Sequence, residues 1–278
     1  MRAPAWHRQA VSYAPGVDLG LAKRVCLVTG GSSGIGLATA RELHREGALV
    51  AICARDAARL EAARDAIGEG VVAIPCDLAS AEGPAAAVAA TFDHFGRLDV
   101  LVNNVGRVQI ARWDELSDAD WEASWQINVM SYLRAARAAL PHLRASDQAR
   151  IVNVSSTAGK RPSTSMPDYS VTKAAVLSLS RLLADELTKD GILVNAVCPG
   201  PTATPIWLAP GGIGDQSAAR AGTDRETALA AAGRGRPIGR LAEADEIAAV
   251  IVLLASARAS YVTGAAWSVD GGTVPIII

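Results

Sequence analysis

Seven short runs of β-branched and other apolar residues, separated by longer stretches with apolar residues three and four apart, constrain this chain more than any other feature. The runs occupy positions 25–28, 49–52, 71–74, 100–102, 151–154, 192–197 and 265–269. They are apolar nearly throughout, broken only by Asn153, Asn195 and Ser268, instead of alternating, as expected of strands covered on both faces. Between them, Leu60, Ala63 and Ile67 share one helical face, Val176, Leu179 and Leu183 a second, and Ile247, Val250, Ile251 and Leu254 a third. This alternation predicts an α/β fold, a doubly wound, seven-stranded parallel sheet with helices on both faces. No Pro/Gly-rich linker divides the chain into halves with cores of their own. A single domain over residues 21–278 is therefore expected, preceded by an N-terminal extension over 1–20. At about 203–237, Pro205, Pro210, Gly211, Gly212 and Gly214 surround a helical patch that ends near Gly233 and Gly235. An insertion of this length after the sixth strand is expected to be a substrate lid.

Composition excludes several function classes. The chain has 278 residues, 50% of them apolar and 20% charged, which is ample for a packed core. Its 27 basic and 28 acidic residues give a formal net charge of −1, so no broad positive field is available for nucleic acid or an anionic membrane surface. No apolar run approaches the ~18 residues of a membrane helix. The first twenty residues, with Trp6, His7, Arg8 and Asp18, lack the apolar segment of a secretory leader. Cys26, Cys53, Cys76 and Cys198 stand far apart with no C-x-x-C pair. They read as buried, reduced thiols of a cytoplasmic protein, and no metal site is expected.

The first strand runs into Thr29-Gly30-Gly31-Ser32-Ser33-Gly34-Ile35-Gly36 and then a helical segment. Glycines at such a turn allow a pyrophosphate close to the backbone, and the helix N-terminus directs unpaired N–H groups and its positive dipole end at the anion. The spacing G-x-x-x-G-x-G differs from the generic dinucleotide fingerprint G-x-G-x-x-G. Tyr169 and Lys173 lie four apart on a helix that Pro167 suits at its first turn, so both project from one face. An ammonium beside a phenol favours the phenolate and draws the phenol's pKa, ordinarily ~10, toward the working range of an acid-base catalyst. At the end of the second strand, Ala54 stands where an acidic residue would bind a ribose 2′-hydroxyl. Arg55 follows, suited to pair with a 2′-phosphate, with Asp56 adjacent to it.

Thr29 to Gly36, Asn103-Asn104-Val105-Gly106, Tyr169-x-x-x-Lys173 and Pro199-Gly200 together resemble the short-chain dehydrogenase/reductase family, over roughly residues 24–272. Val105 departs from the more usual Ala. The resemblance implies a Rossmann fold, with members like 3-oxoacyl-[acyl-carrier-protein] reductases as the leading comparison. It implies a catalytic set in which Tyr169 donates the proton, Lys173 tunes it and holds the nicotinamide ribose, and Ser156 polarises the carbonyl. Asn128 would hold a water linking Lys173 to solvent. Ser156 lies thirteen residues before Tyr169 and begins the family's Ser-x-x-Gly pattern, with Ser155 the competing candidate. For Asn128 a purely structural amide that kinks its helix is the other reading. The implied cofactor residues are Gly30, Ser32, Ser33, Gly34, Ile35, Gly36, Arg55, Asp77, Leu78, Asn104, Tyr169, Lys173, Pro199, Gly200, Thr202 and Thr204. Of these, Asp77 would meet the adenine amine, and Thr202 and Thr204 would anchor the carboxamide or serve only as turn residues. Asn103 would line the adenosine side. NADP(H) is favoured over NAD(H).

The expected activity is reduction of a ketone, 3-oxoacyl or polyketide-like, to a secondary alcohol. The substrate is a small carbonyl compound, free or carrier-bound, walled by Ile206, Trp207 and Leu208 of the lid with Val108, Ile110 and Met166. Lys160, Arg161, Arg144 and Lys189 are either solvated charges or a landing site for an anionic carrier. A homotetramer or dimer is implied, and the apolar terminus from Val274 to Ile278 suits burial in one. The alternatives are an NAD-dependent hydroxy-steroid or sugar-alcohol dehydrogenase, a redox-neutral dehydratase or epimerase, and a non-catalytic nucleotide-sensing protein.

Overall fold

The structure is a computed structural model describing residues 17–275. Most of the 1–20 extension, and the last three residues of the apolar terminus, lie outside the described residues. All seven expected strands are present. They are β1 (Val25–Thr29), β2 (Leu49–Ala54), β3 (Val72–Pro75), β4 (Val100–Asn103), β5 (Arg150–Val154), β6 (Leu193–Pro199) and β7 (Ala266–Val269). They form one parallel sheet in the order β3-β2-β1-β4-β5-β6-β7, so the order reverses direction between β1 and β4. That reversal opens a crevice at the carboxyl ends of β1 and β4, the place where open α/β sheets bind ligands.

The side-chain alternation of β1 shows how the two faces are built. Cys26 and Val28 enter a core shared with α1 (Gly34–Arg45), α2 (Ala57–Ile67) and α11 (Ala244–Ala255), which contribute Leu43, Leu60 and Ile251. Val25 and Leu27 enter the opposite core, where α3 (Gly83–Phe95), α5 (Ser131–Arg144) and α7 (Pro167–Leu187) contribute Val88, Leu143 and Leu187. Burial on both faces holds for the inner strands but not for the edges. Ala266, Trp267 and Ser268 of β7 are exposed, and β3 is only partly covered. An uninterrupted apolar run identifies a strand in a parallel sheet without telling whether it is central or at an edge. Lys160 Nζ, donating to the Ala266 carbonyl and to Ser268 Oγ at 2.6 and 3.0 Å, blunts the β7 edge.

Two helical details differ from the sequence expectation. The buried stripe of α7 runs through Thr172, Lys173, Val176, Ser180, Ala184 and Leu187, while Leu179 and Leu183 are only half-buried. The small and polar residues of this stripe let the helix lie close to the sheet. Segment 203–237 is largely helical, with α8 (Pro205–Leu208), α9 (Ile213–Ala221) and α10 (Arg225–Arg234). Among the described residues no helix is long and apolar enough to cross a membrane.

Candidate active site

A cleft of about 1200 Å³ lies over the carboxyl ends of the strands. At its floor, Gly30 and Gly34 have φ of +67° and +54°, left-handed values that disfavour residues with a Cβ. Gly36 packs so closely that a Cβ would stand 2.3 Å from the Gly30 carbonyl oxygen. The turn is fastened from the next strand. Thr29 Oγ1 accepts from the Asn104 N–H at 2.9 Å, and Asn104 Nδ2 donates to the Thr29 and Gly30 carbonyls at 3.0 and 3.2 Å. Ser33 begins α1 without capping it, which leaves the first N–H groups of the helix facing the cleft. The open helix end and the glycine cradle fit a dinucleotide diphosphate.

Fifteen of the sixteen residues expected to meet a cofactor line the cleft. Gly36 does not; it is buried and serves the close packing just described. Asn103 is also corrected. It is 1% exposed and donates through Nδ2 to Asn153 Oδ1 at 2.9 Å inside the sheet, so its neighbour Asn104, whose side chain leaves the sheet plane, occupies the cleft wall. Cys76, expected to be buried, is half-buried on the cleft wall, while Cys26, Cys53 and Cys198 are buried. Cys53, hydrogen-bonded to Cys76 and enclosed, has its thiol held well above the ordinary range.

At the centre, α7 presents Tyr169 and Lys173 from one face, with Lys173 Nζ 5.7 Å from the Tyr169 ring centroid. Ser156 is hydrogen-bonded to the Tyr169 hydroxyl, and its Oγ accepts from the Ala158 N–H at 3.1 Å, which fixes the side chain at the end of β5. Ser155 turns away, donating through Oγ to the Lys173 carbonyl at 2.7 Å. The Ser155 hydroxyl is thus taken up by the α7 backbone, whereas that of Ser156 is turned to Tyr169. Burial pushes the Tyr169 phenol up, and the Ser156 hydrogen bond draws it back only in part. Burial also lowers Lys173 to about 7. Desolvation, rather than the ammonium's pull on the phenol, therefore dominates this pair, contrary to the expectation from spacing alone.

Asn128 stands beside the cleft rather than on its wall. It sits in a π-helical turn, Gln126–Met130, between α4 (Asp118–Trp125) and α5. Its Nδ2 donates to the Arg107 carbonyl and Thr172 Oγ1 at 3.0 and 3.1 Å, and its Oδ1 accepts from the Arg107 N–H at 2.9 Å. The side chain therefore clamps the loop after β4 to α7. A Cβ at Gly106 would lie 3.3 Å from Asn128 Oδ1 and 3.6 Å from Lys173 Nζ, so a bare backbone separates these two groups.

Sequence reasoning missed Tyr132. This residue is fully buried on α5, and its hydroxyl lies 3.0 Å from both the Val105 and Val154 carbonyls. Lys173 Nζ donates to the Tyr132 hydroxyl at 3.2 Å and to the Val154 carbonyl at 2.8 Å. The available signal was an aromatic four residues after Asn128, one helical turn on, in a segment otherwise rich in alanine.

At the substrate end, Val108, Met166, Ile206 and Trp207 line the cleft as expected, whereas Ile110 and Leu208 do not. The Ile110 N–H is instead hydrogen-bonded by Gln216 Oε1 at 2.8 Å, tying the loop after β4 to α9. Of the four basic residues considered for a carrier, Arg161 lines the cleft, Lys160 is tied to β7 and Arg144 is paired with Asp190 at 2.9 Å.

Residues 30–274 match the family model described as Enoyl-(Acyl carrier protein) reductase. The short-chain reductase protein NovJ of Streptomyces niveus is 36% identical over 251 residues, 89% of this chain and 93% of that protein. A monensin polyketide synthase putative ketoacyl reductase of Streptomyces virginiae is 38% identical over 257 residues, 90% of this chain and 96% of that one. Among solved structures, L-sorbose reductase from Gluconobacter frateurii, complexed with NADPH and L-sorbose, superposes with a TM-score of 0.88 at 35% identity, covering 94% of this chain and 100% of that one. With the sheet order, the glycine cradle and the Ser156, Tyr169 and Lys173 cluster, these likenesses place the chain in the short-chain dehydrogenase/reductase family, as an NAD(P)-dependent oxidoreductase acting on CH–OH/C=O groups.

Proposed function

We propose that the protein is an NADP(H)-dependent ketoreductase that converts a 3-oxoacyl or polyketide-like ketone to a secondary alcohol. The observation that carries this reading is the convergence of Ser156, Tyr169 and Lys173 on one cleft that also holds an exposed Arg55 at its nucleotide end. The relatives support it: one is named a ketoacyl reductase, and a structural neighbour was solved with NADPH.

The nicotinamide cofactor, when bound, supplies hydride to the carbonyl carbon. The chain supplies the rest. Ser156 Oγ orients the carbonyl oxygen where negative charge develops. Tyr169, whose buried phenol stays protonated near neutrality, gives its proton to that oxygen. Lys173, between Tyr169 and Tyr132, would in its protonated form stabilise the phenolate left behind, and it would hold the nicotinamide ribose. Asn128 holds the Gly106–Arg107 backbone that forms the wall beside Lys173.

Cofactor choice rests on charge. Ala54 offers no carboxylate to a ribose, and Asp56 turns aside to cap α2, accepting from the Arg59 N–H at 3.0 Å and pairing with the Arg59 guanidinium at 3.8 Å. Arg55 is left exposed at the nucleotide end of the cleft, suited to a 2′-phosphate. Arg55→Ala should weaken NADPH by about 1.5–3 kcal/mol, the worth of a charge-assisted hydrogen bond, and leave NADH nearly unchanged. Fluorescence titration of both cofactors checks this, and equal losses would contradict the phosphate role. A second reading, reduction of a ketose, is favoured by the L-sorbose reductase likeness and would show as turnover of sugars but not of oxoacyl thioesters.

A further inference from the structure

With Arg55 assigned to the cofactor, positive charge remains on the other half of the cleft with no counter-charge among the described residues. Arg236 follows α10, and its side chain lines the cleft with Thr273 and Val274. Its Nε is buried and has no hydrogen-bond partner among the described residues. Burial lowers its pKa, and no neighbouring acid opposes that effect. Other arginines of the cleft wall are occupied: Arg59 faces Asp56, and Arg107 is paired with Asp120 at 3.6 Å and bonded to Gln109. Arg161 lines the cleft with no ion pair among the described residues, but it is exposed.

Carboxylates are distributed just as unevenly. The two that line the cleft, Asp56 and Asp77, both follow strands at the nucleotide end. Residues 236–238 pack against the turn after β7, where the Ile238 N–H donates to the Gly271 carbonyl. Asp270 on that turn accepts from the Gly272 and Val274 N–H groups at 3.0 Å each, one with each oxygen, so it is held by its own loop. Arg236 is half-buried, so its guanidinium has lost part of its hydration without gaining an acid in exchange, which is costly to an arginine. Its planar fork suits two-point contact with a carboxylate or phosphate.

We infer that Arg236 is an anion subsite for the substrate, so that the carbonyl compound reduced here carries an acidic group, carboxylate or phosphate, on the arm pointing toward Thr273. The inference rests on the reductase reading for the position of the reacting carbonyl. Trp207 and Ile213, on the same stretch of wall, would cover the carbon skeleton between carbonyl and acid.

The test compares wild type with Arg236→Gln and Arg236→Lys on ketone pairs matched except for charge. Two pairs probe a carboxylate, acetoacetate with acetoacetamide and 4-oxocyclohexanecarboxylate with its carboxamide. A third, a 3-oxoacyl coenzyme A with the corresponding N-acetylcysteamine thioester, probes the phosphates. Wild type should prefer the charged member of at least one pair. Arg236→Gln should lower kcat/KM for that member about tenfold or more, leaving the neutral member and the NADPH Kd unchanged, while Arg236→Lys restores part of the loss. Thermal unfolding is the second readout. Removing an unpaired charge should leave the midpoint of the ligand-free protein unchanged or higher, and the acids should stabilise cofactor-loaded wild type but not Arg236→Gln. Wild-type rates on the charged members no higher than on the neutral ones, or a clear fall in the ligand-free midpoint of Arg236→Gln, would overturn the subsite while leaving the reductase reading standing. An Arg236-dependent thermal shift with no turnover of any ketone would keep the subsite and overturn the reductase reading. Neither shift nor turnover would overturn both.

Discussion

Lys173 is the residue whose surroundings say most about the cleft. Its ammonium is 2% exposed and satisfied by a phenol and a carbonyl rather than by an acid. Burial lowers it to about 7, so above that pH the folded chain carries a neutral amine, while the unfolded chain stays protonated up to ~10.4. The unfolded state then binds more protons, and stability should climb as pH rises through that window. Lys173→Met abolishes this gain: relative to wild type it should be the more stable protein at mildly acidic pH and lose that advantage in alkali. Urea unfolding of the ligand-free proteins on either side of the window measures the difference. Tyr132 and Arg236 were not legible in the sequence for a shared reason. What marks each is a contact, or a missing contact, with residues far away in the chain, and neither local spacing nor residue type reports it.

The glycine turn shows what an element can and cannot reveal in advance. That Thr29 to Gly36 would join a strand to a helix through a tight glycine turn was readable, because only glycines combine left-handed φ with a bare backbone. Which glycines line the cleft was not readable, and Gly36 is buried in close packing against the Gly30 carbonyl. Gly36→Ala would put a Cβ 2.3 Å from a backbone oxygen that cannot yield, so the turn must shift. The variant should bind either dinucleotide at least ~10-fold more weakly and lose roughly 1–3 kcal/mol of stability, read by cofactor titration and chemical denaturation. The strands were legible because parallel sheets demand apolar runs, whereas strand order, which makes β3 and β7 edges, is set by tertiary packing. The stripe on α7 was misplaced by the same route. Leucines drew the eye, but close approach to the sheet selects Ser180 and Ala184.

Across the whole molecule, a rigid sheet with two buried cores carries a cleft whose far wall is built from α8, the start of α9 and Arg236 after α10. The Ile110–Gln216 hydrogen bond and the Arg220–Glu115 ion pair fasten this wall to the loop after β4. Few apolar contacts and many exposed residues place it at the low-stability end of the fold. Hydrogen exchange over 205–234 should therefore slow when cofactor and ketone bind together, with the seven strands unchanged; uniform protection of strands and helices would argue against a lid. The central claim is that one cleft joins hydride acceptance to proton donation by Tyr169. Its most direct measurement is NADPH oxidation by wild type and Tyr169→Phe across 3-oxoacyl thioesters, cyclic ketones and sugars, with NADPH affinity measured beside it. The expected result is turnover by wild type on part of the panel, a loss of about 10²-fold or more in kcat for Tyr169→Phe and an unchanged NADPH Kd. Comparable turnover by Tyr169→Phe would remove the phenol from the chemistry and contradict the account.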